Sequence, residues 1–260
     1  MKRIKDKGYD GMKIKILLMC FICTGVLLTL TALDYPIRHD RQFYEQKGDV
    51  MWEIPLEEKL VSITFDDGPN EHITPQILDL LKEYDAKATF FVVGNRIDRH
   101  SEIIKREVLE GHEIGNHTYN HIFFSSNYSR EVIDEEIERT RKKINEVAGI
   151  DSPWFRPPGG YINDRVVDEA KKYGYTVVLW SWHQDTQDWK SPGVKAIVNK
   201  VLNNVRNGDI ILMHDHVVTK KGNSQTQTVE ALKIILPELE RRGYKLVTVS
   251  ELVKKKYMLE

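Results

Sequence analysis

Residues 60–69 read LVSITFDDGP, a run of apolar and β-branched residues that stops at two carboxylates, a glycine and a proline. β-Branched and aromatic side chains favour strands, whereas Asp, Gly and Pro favour turns. The stretch therefore predicts a buried strand that delivers Asp66 and Asp67 to the loop that follows it. By itself, the Asp-Asp-Gly-Pro string also fits an ordinary surface turn.

Further short apolar runs follow this one, and longer stretches with helical periodicity separate them. This alternation predicts a largely parallel α/β fold. About seven strands in roughly 200 residues predict a distorted, incomplete (β/α) barrel, with a doubly wound open sheet as the alternative. The predicted strands are 60–65, 88–93, 113–116, 154–156, 176–182, 209–213 and 245–249, and the predicted helices lie near 74–84, 99–110, 129–147, 163–173, 193–205 and 226–242.

The N-terminal residues 1–33 differ from the rest of the chain. Several Lys and Arg residues precede an uncharged apolar run at 16–33. This order is typical of a signal anchor or a signal peptide, with the basic flank in the cytoplasm. We expect an apolar helix that stays uncleaved and places the following domain outside the cell membrane; a secreted form is the alternative. The polar, aperiodic residues 34–58 predict a linker, and residues 59–260 predict the catalytic domain.

Composition limits the class of protein. The formal net charge is −1, which argues against a nucleic-acid-binding function. Hydrophobic residues make up 41% of the chain, enough for an ordinary core. Both cysteines, Cys20 and Cys23, lie in the apolar run, so the remaining chain cannot form disulfides. We therefore expect an exported domain that is stabilised by its hydrophobic core.

Ionisable and polar residues follow five of the predicted strands. In β/α barrels, the carboxyl ends of the strands carry the chemistry. A carboxylate and two imidazoles at this edge fit a site for Zn²⁺ or a similar divalent ion. In strand order, the residues are Asp66 and Asp67; His117 and His121; Arg156 and Gly159; Asp185, Asp188 and Trp189; and Leu212 and His214.

Local spacing suggests how these groups divide the work. His117 and His121 face one ion if their segment forms a helical turn. For that pair alone, two surface or capping histidines are the alternative. Asp66 and Asp67 point apart if the chain is extended, so that one can bind metal while the other accepts a proton. Asp215, next to His214, is expected at a solvated rim.

Five short motifs occur in order along the chain: TFDDGP at 64–69, HTYNH at 117–121, RPPGG at 156–160, DTQDW at 185–189 and LMH at 212–214. Together they resemble the motifs of the polysaccharide deacetylases of carbohydrate esterase family four, also called the NodB-homology domain. The resemblance covers roughly residues 60–253. It implies a distorted β/α barrel with fewer than eight repeats.

The resemblance also implies roles for particular residues. It divides them into metal ligands, catalytic groups and substrate contacts. Many members of the family carry a larger residue at Gly159, and this departure is expected to widen the groove. By resemblance, Asp67, His117 and His121 bind one divalent ion, usually Zn²⁺, with Co²⁺, Mn²⁺ or Ni²⁺ as alternatives; Asp66 is the general base and His214 the general acid; Arg156 holds Asp66 and Asp188 tunes His214; Trp189 and Leu212 wall the acetyl pocket; and the backbone N–H of Gly159 stabilises the oxyanion.

The expected function is metal-dependent removal of N-acetyl groups from a cell-surface polysaccharide, with release of acetate. An anchored, exported domain favours peptidoglycan amino sugars as the substrate, and chitin or its oligosaccharides are the alternative. A catalytically silent glycan-binding homologue is a second class of function. A metallopeptidase fits less well, because His117 is not followed by the glutamate of the H-E-x-x-H pattern.

Overall fold

The computed structural model describes residues 39–124, 128–216 and 226–259. The predicted apolar helix and the first residues of the predicted linker lie outside this part of the chain. Among the described helices, none is both long enough and apolar enough to cross a bilayer.

Strands and helices alternate along the described chain, as the sequence predicts. All seven predicted strands are present, and one further strand, β1, precedes them. The strands are β1 Val50–Met51, β2 Leu60–Asp66, β3 Ala88–Val92, β4 Glu113–Asn116, β5 Trp154–Phe155, β6 Thr176–Val178, β7 Ile210–His214 and β8 Lys245–Leu246. The helices are α1 Arg41–Lys47, α2 Thr74–Glu83, α3 Gly94–Ile97, α4 Ser101–Leu109, α5 Arg130–Ala148, α6 Asp164–Lys172, α7 Val194–Leu202, α8 Thr226–Arg241 and α9 Val249–Leu259.

The strands of the described residues form one parallel sheet in the order β1-β6-β5-β4-β3-β2-β7, and β8 pairs with β2. The sheet curls into a half-barrel. Irregular backbone after β6 reaches across to β7: the amide of Ser181 donates to the carbonyl of Ile210 at 3.0 Å, and Asp185 forms an isolated bridge with Leu212. The incomplete barrel is therefore confirmed over the open doubly wound sheet.

Strand β2, which pairs with β3, β7 and β8, is buried on both faces. Its odd-numbered residues, such as Val61 and Phe65, belong to the core between the sheet and the helices. Burying an apolar side chain of this size stabilises the fold by about 1.5–3 kcal/mol. Its even-numbered residues Thr64 and Asp66 are buried polar groups that contact Arg156. One strand thus anchors the core and carries polar groups to the site at its carboxyl end.

The prediction of a linker at 34–58 is wrong for the described residues 39–58. Asp40 caps α1 by accepting a hydrogen bond from the amide of Phe43 at 2.9 Å. Strand β1 pairs with β6, and Tyr44 and Trp52 are buried. These residues therefore belong to the domain. A seven-residue helix and a two-residue strand are too short to produce a readable periodicity.

The predicted strand at 245–249 is shorter than expected, because α9 begins at Val249. Thr248 and Glu251 cap this helix reciprocally. The Glu251 carboxylate accepts from the Thr248 amide at 2.9 Å, and the Thr248 hydroxyl accepts from the Glu251 amide at 3.2 Å. This T-x-x-E capping box is legible in the sequence.

Candidate metal and catalytic site

A cavity of about 430 Å³ opens at the carboxyl ends of the strands. All of the predicted site residues line it except Arg156 and Asp188, which contact residues that do. The fold therefore gathers the whole predicted set at one place. The lining residues are Asp66, Asp67, Arg96, His117, His121, Phe123, Gly159, Trp180, Asp185, Trp189, Leu212 and His214.

Asp67, His117 and His121 form a candidate metal triad. One potential ligand atom from each lies within 4.8 Å of the others. Asp67 Oδ1 is 2.8 Å from His121 Nε2 and 3.4 Å from His117 Nε2. Although burial acts to raise the pKa of Asp67, hydrogen bonds with the two histidines hold it well below its usual range. One carboxylate oxygen and two imidazole nitrogens are a donor set that fits a single Zn²⁺-type ion.

The backbone brings the two histidines together without a helical turn, so that part of the prediction is wrong. Thr118 and His121 have positive φ angles of 67° and 58°. The amide of Thr118 donates to Asn116 Oδ1 at 3.0 Å, which holds the loop at the end of β4. Left-handed conformations of non-glycine residues cost roughly 1–3 kcal/mol each and cluster at functional sites. The strained loop is thus part of how the triad is positioned.

The two consecutive carboxylates face the same cavity rather than opposite sides of an extended strand. Asp67 has a φ angle of 77°, so the strand geometry ends at Asp66. As a result, His117 Nε2 lies 3.7 Å from Asp66 Oδ2 and 3.4 Å from Asp67 Oδ1. The expectation that these side chains point apart is therefore wrong. Their contacts still differ, because Asp66 is bonded to Arg156 and Asp67 lies against His121.

The guanidinium of Arg156 is fully buried and fixes Asp66. Its Nη1 donates to Asp66 Oδ1 at 2.6 Å and to Thr64 Oγ1 at 2.8 Å. Its Nε and Nη2 donate to the carbonyls of Val178 and Leu179 at 2.8 and 2.9 Å. Because the guanidinium is held from several directions, it sets the orientation of the Asp66 carboxylate and leaves Oδ2 facing the triad.

Arg156 also orients a metal-ligand candidate through its backbone. Its carbonyl oxygen lies 2.6 Å from His117 Nδ1 and can only accept a hydrogen bond. In the neutral ring that a metal ligand requires, the proton of His117 is therefore on Nδ1 and the lone pair is on Nε2, which faces Asp67. Such a hydrogen bond to the remote nitrogen is usual for metal-ligating histidines. The hydrogen bond from Nε2 to Asp67 belongs to the protonated ring.

At the end of β7, His214 pairs with the buried Asp188. His214 Nδ1 lies 2.7 Å from Asp188 Oδ1, and the His214 amide donates to Asp188 Oδ2 at 2.9 Å. The Thr228 hydroxyl donates to the same Oδ2 at 2.7 Å. Burial acts to lower the pKa of His214, but the charge and hydrogen bond of Asp188, with Asp67 and Asp66, raise it to about 10. Asp188 therefore favours the protonated ring, and the Nε2 atom is left free of that contact at the cavity.

Gly159 is held in a left-handed conformation with a φ of 64°. A Cβ added there would lie 2.9 Å from the Phe123 ring and 3.1 Å from the Tyr161 ring. Aromatic side chains therefore occupy the space that a larger residue would take. The expectation that glycine widens the groove at this point is wrong.

A family model described as polysaccharide deacetylase matches residues 53–178. A peptidoglycan-N-acetylglucosamine deacetylase of Bacillus cereus is 52% identical over 217 residues, which cover 84% of this chain and 99% of that protein. The chain belongs to the polysaccharide deacetylase family. The resemblance that the motifs indicate is thereby confirmed.

Other polysaccharide deacetylases that resemble this chain share its fold and are named for different glycans. A crystal structure of a peptidoglycan N-acetylglucosamine deacetylase has a TM-score of 0.75 and 35% identity; the match covers 81% of this chain and 95% of that one. A chitooligosaccharide deacetylase of a Bradyrhizobium species is 38% identical, over 74% of this chain and 90% of its own length. Deacetylases of this family use a divalent metal.

In this polysaccharide deacetylase, Arg96, Phe123 and Trp180 line the cavity but are absent from the predicted set, and Asp215 follows His214 directly. Arg96 lines the cavity and donates to the backbone carbonyl of Asp67. It lies in α3, which follows β3, and none of the five motifs includes it. Asp215 is buried rather than solvated: the Thr74 hydroxyl donates to it at 2.5 Å, and burial raises its pKa to about 7.

Proposed function

We propose that this chain is a metal-dependent hydrolase that removes N-acetyl groups from peptidoglycan amino sugars and releases acetate. The observation that carries the proposal is one cavity that is lined by a metal triad, by Asp66 beside the triad and by His214. A proton acceptor and a proton donor next to an ion site are the groups that amide hydrolysis needs. Membership of the polysaccharide deacetylase family supports the same reaction.

The proposed cofactor is one Zn²⁺ held by Asp67, His117 and His121. The mixed oxygen and nitrogen donor set also accepts Co²⁺, Mn²⁺ or Ni²⁺. When bound, such an ion supplies a Lewis acid that polarises the acetamide carbonyl and lowers the pKa of water.

Asp66 is the proposed general base. Arg156 fixes one oxygen of its carboxylate, and the other faces the triad, where it can take a proton from the attacking water. The addition of water to the carbonyl then yields a tetrahedral oxyanion. The backbone N–H of Gly159 is the proposed donor to this oxyanion, and removing one such donor typically costs about 3–4 kcal/mol of barrier.

His214 is the proposed general acid. Its protonated ring donates a proton from Nε2 to the leaving nitrogen as the C–N bond breaks. Asp188 keeps the ring oriented and charged through the bond to Nδ1. Trp189 and Leu212 offer apolar walls for the acetyl methyl group. The products are acetate and a free amino sugar.

The names of the relatives support peptidoglycan N-acetylglucosamine as the substrate, because the match to the Bacillus cereus deacetylase spans nearly all of that protein. Chito-oligosaccharides are the second candidate, favoured by the Bradyrhizobium relative. We further propose that the domain acts outside the cell, attached to the membrane through residues 1–33. The basic flank and the apolar run of the sequence support this placement.

The test is mass spectrometry of defined peptidoglycan fragments and chito-oligosaccharides after incubation with the purified full chain. We expect loss of acetyl groups, equimolar release of acetate, and abolition of both by a chelator. The variant Asp66→Asn is the matched control. Glycan binding that a chelator leaves unchanged, with no acetate from any substrate, would instead identify a silent binding homologue.

A further inference from the structure

A second cavity, of about 450 Å³, adjoins the catalytic one. The two share Gly159 and Trp180 as lining residues, so they lie side by side. The second cavity lies between the turn after β5, the chain after β6, and the N-terminal segment that the sequence assigned to a linker. Its other walls include Arg41, Trp52, Tyr161 and Trp182.

Trp182 presents a fixed aromatic surface to this second cavity. Its side chain is 72% exposed, which is unusual for a residue of this size, and Tyr161 beside the cleft is 38% exposed. The turn that carries Trp182 is anchored immediately behind it. His183 Nε2 and Gln184 Nε2 lie 3.0 and 3.1 Å from Asp209 Oδ2. The exposed indole is therefore held on a rigid base rather than on a loose loop.

The basic side chains of the second cavity, Arg41 and His39, already have carboxylate partners nearby. Arg41 forms ion pairs with Glu45, at 2.7 Å, and with Glu53. His39 lies 3.3 Å from Asp164. An anionic ligand would have to displace these carboxylates, so the walls favour an uncharged ligand with an apolar face.

We propose that the second cavity is a sugar subsite, in which Trp182 stacks on an uncharged sugar ring of the same glycan strand whose N-acetyl group occupies the catalytic cavity. The proposal rests on the proposed function. The C–H face of a pyranose is apolar and its rim is polar, which matches an indole platform beside tyrosine and backbone groups. Because the two cavities are adjacent and share Gly159 and Trp180, a neighbouring sugar of the glycan is favoured over a separate ligand.

The test compares kcat/KM for chito-oligosaccharides of increasing length between the full chain and three variants. Trp182→Ala is expected to leave the shortest substrate unchanged and to reduce kcat/KM about five- to tenfold for the longest, the scale of one aromatic contact. Trp182→Phe is expected to retain most of the increase in kcat/KM with substrate length. The matched control is Tyr257→Ala, on α9, which removes an exposed aromatic residue that lines neither cavity.

An equal fall at every length, or no fall at any length, would overturn the subsite. A fall seen only with peptidoglycan fragments that carry peptide stems would assign the cavity to the peptide and also overturn it. If the unaltered chain releases no acetate from any substrate, the proposed function fails by itself. Calorimetry of the same oligosaccharides then decides the subsite, which requires binding that Trp182→Ala weakens.

Discussion

The two walls of the catalytic cavity are built on different principles. On one wall, Asp67, His117 and His121 direct ligand atoms toward one another from strained loops. On the other wall, the buried Asp188 is bonded to both the ring and the backbone of His214. The first wall presents ligand atoms that still need a cation as their partner. On the second wall, the polar groups are already hydrogen-bonded to other groups of the protein.

This difference teaches that metal binding and proton donation are separable in this chain. Arg156 belongs to the first wall, because its guanidinium holds Asp66 and its carbonyl orients His117. Changes to the three ligands Asp67, His117 and His121 should alter metal affinity, and changes to Asp188 should alter the pH dependence.

The substitution Asp66→Asn should abolish most turnover and leave metal binding intact. The amide keeps the shape of the carboxylate but cannot accept the proton of the attacking water, a loss of about 10²–10⁴-fold. Acetate release and bound zinc are measured on the same sample. Near-normal turnover at saturating zinc would remove Asp66 from the role of base.

The substitution His117→Ala should weaken zinc binding and lower activity at limiting metal by about tenfold or more. A ligand that binds only the folded state at 100 times its Kd stabilises that state by about 2.7 kcal/mol. Zinc should therefore raise the Tm of the unaltered chain and not that of the variant. An equal zinc-dependent shift in both proteins would show that the ion binds elsewhere.

The substitution Asp188→Asn should act on the pH profile without changing zinc content. Because burial lowers the pKa of His214 and Asp188 raises it to about 10, removal of the carboxylate charge should lower that pKa. The protonated acid is then lost at lower pH, and the alkaline limb of kcat/KM should move down by about one pH unit or more. A bound cation lowers the pKa in both proteins, so the direction of the difference stands. An unchanged alkaline limb would contradict the assignment of His214 as the acid.

The substitution Gly159→Ala should have the smallest effect, a loss of about 1–2 kcal/mol of stability from the left-handed backbone alone. The added Cβ also meets the Phe123 ring. The double variant Gly159→Ala, Phe123→Ala should recover the steric part of any further loss. Urea denaturation of the two single variants and the double variant measures that coupling. Full additivity would mean that Phe123 does not constrain position 159.

The sequence predicts the strands and the positions of the motifs because, in a parallel barrel, each motif directly follows the carboxyl end of a strand. Each carboxyl strand end is marked by a change from apolar to polar residues, as at Phe65 and Asp66. The periodicity of the longer helices is equally legible, and both are confirmed. The roles of the individual site residues remain proposals.

Other features arise from contacts between distant parts of the chain, which no local pattern encodes. The turn of Asp67 into the cavity depends on its positive φ. The burial of Asp215 depends on its bond from Thr74, far away in sequence. Helix α1 and Trp52 are part of the domain only because β1 pairs with β6. The sequence places the reactive groups, and tertiary packing determines their orientation and the neighbouring cleft.

The most direct test of the central claim is a calorimetric titration of the metal-free full chain with Zn²⁺, with acetate release from an N-acetylglucosamine oligomer measured at each point. We expect one ion bound per chain and acetate release that rises in proportion to bound zinc. In His117→Ala, we expect zinc binding and acetate release to be lost. Acetate release at full rate by the metal-free chain, or equal zinc binding by the variant, would contradict it.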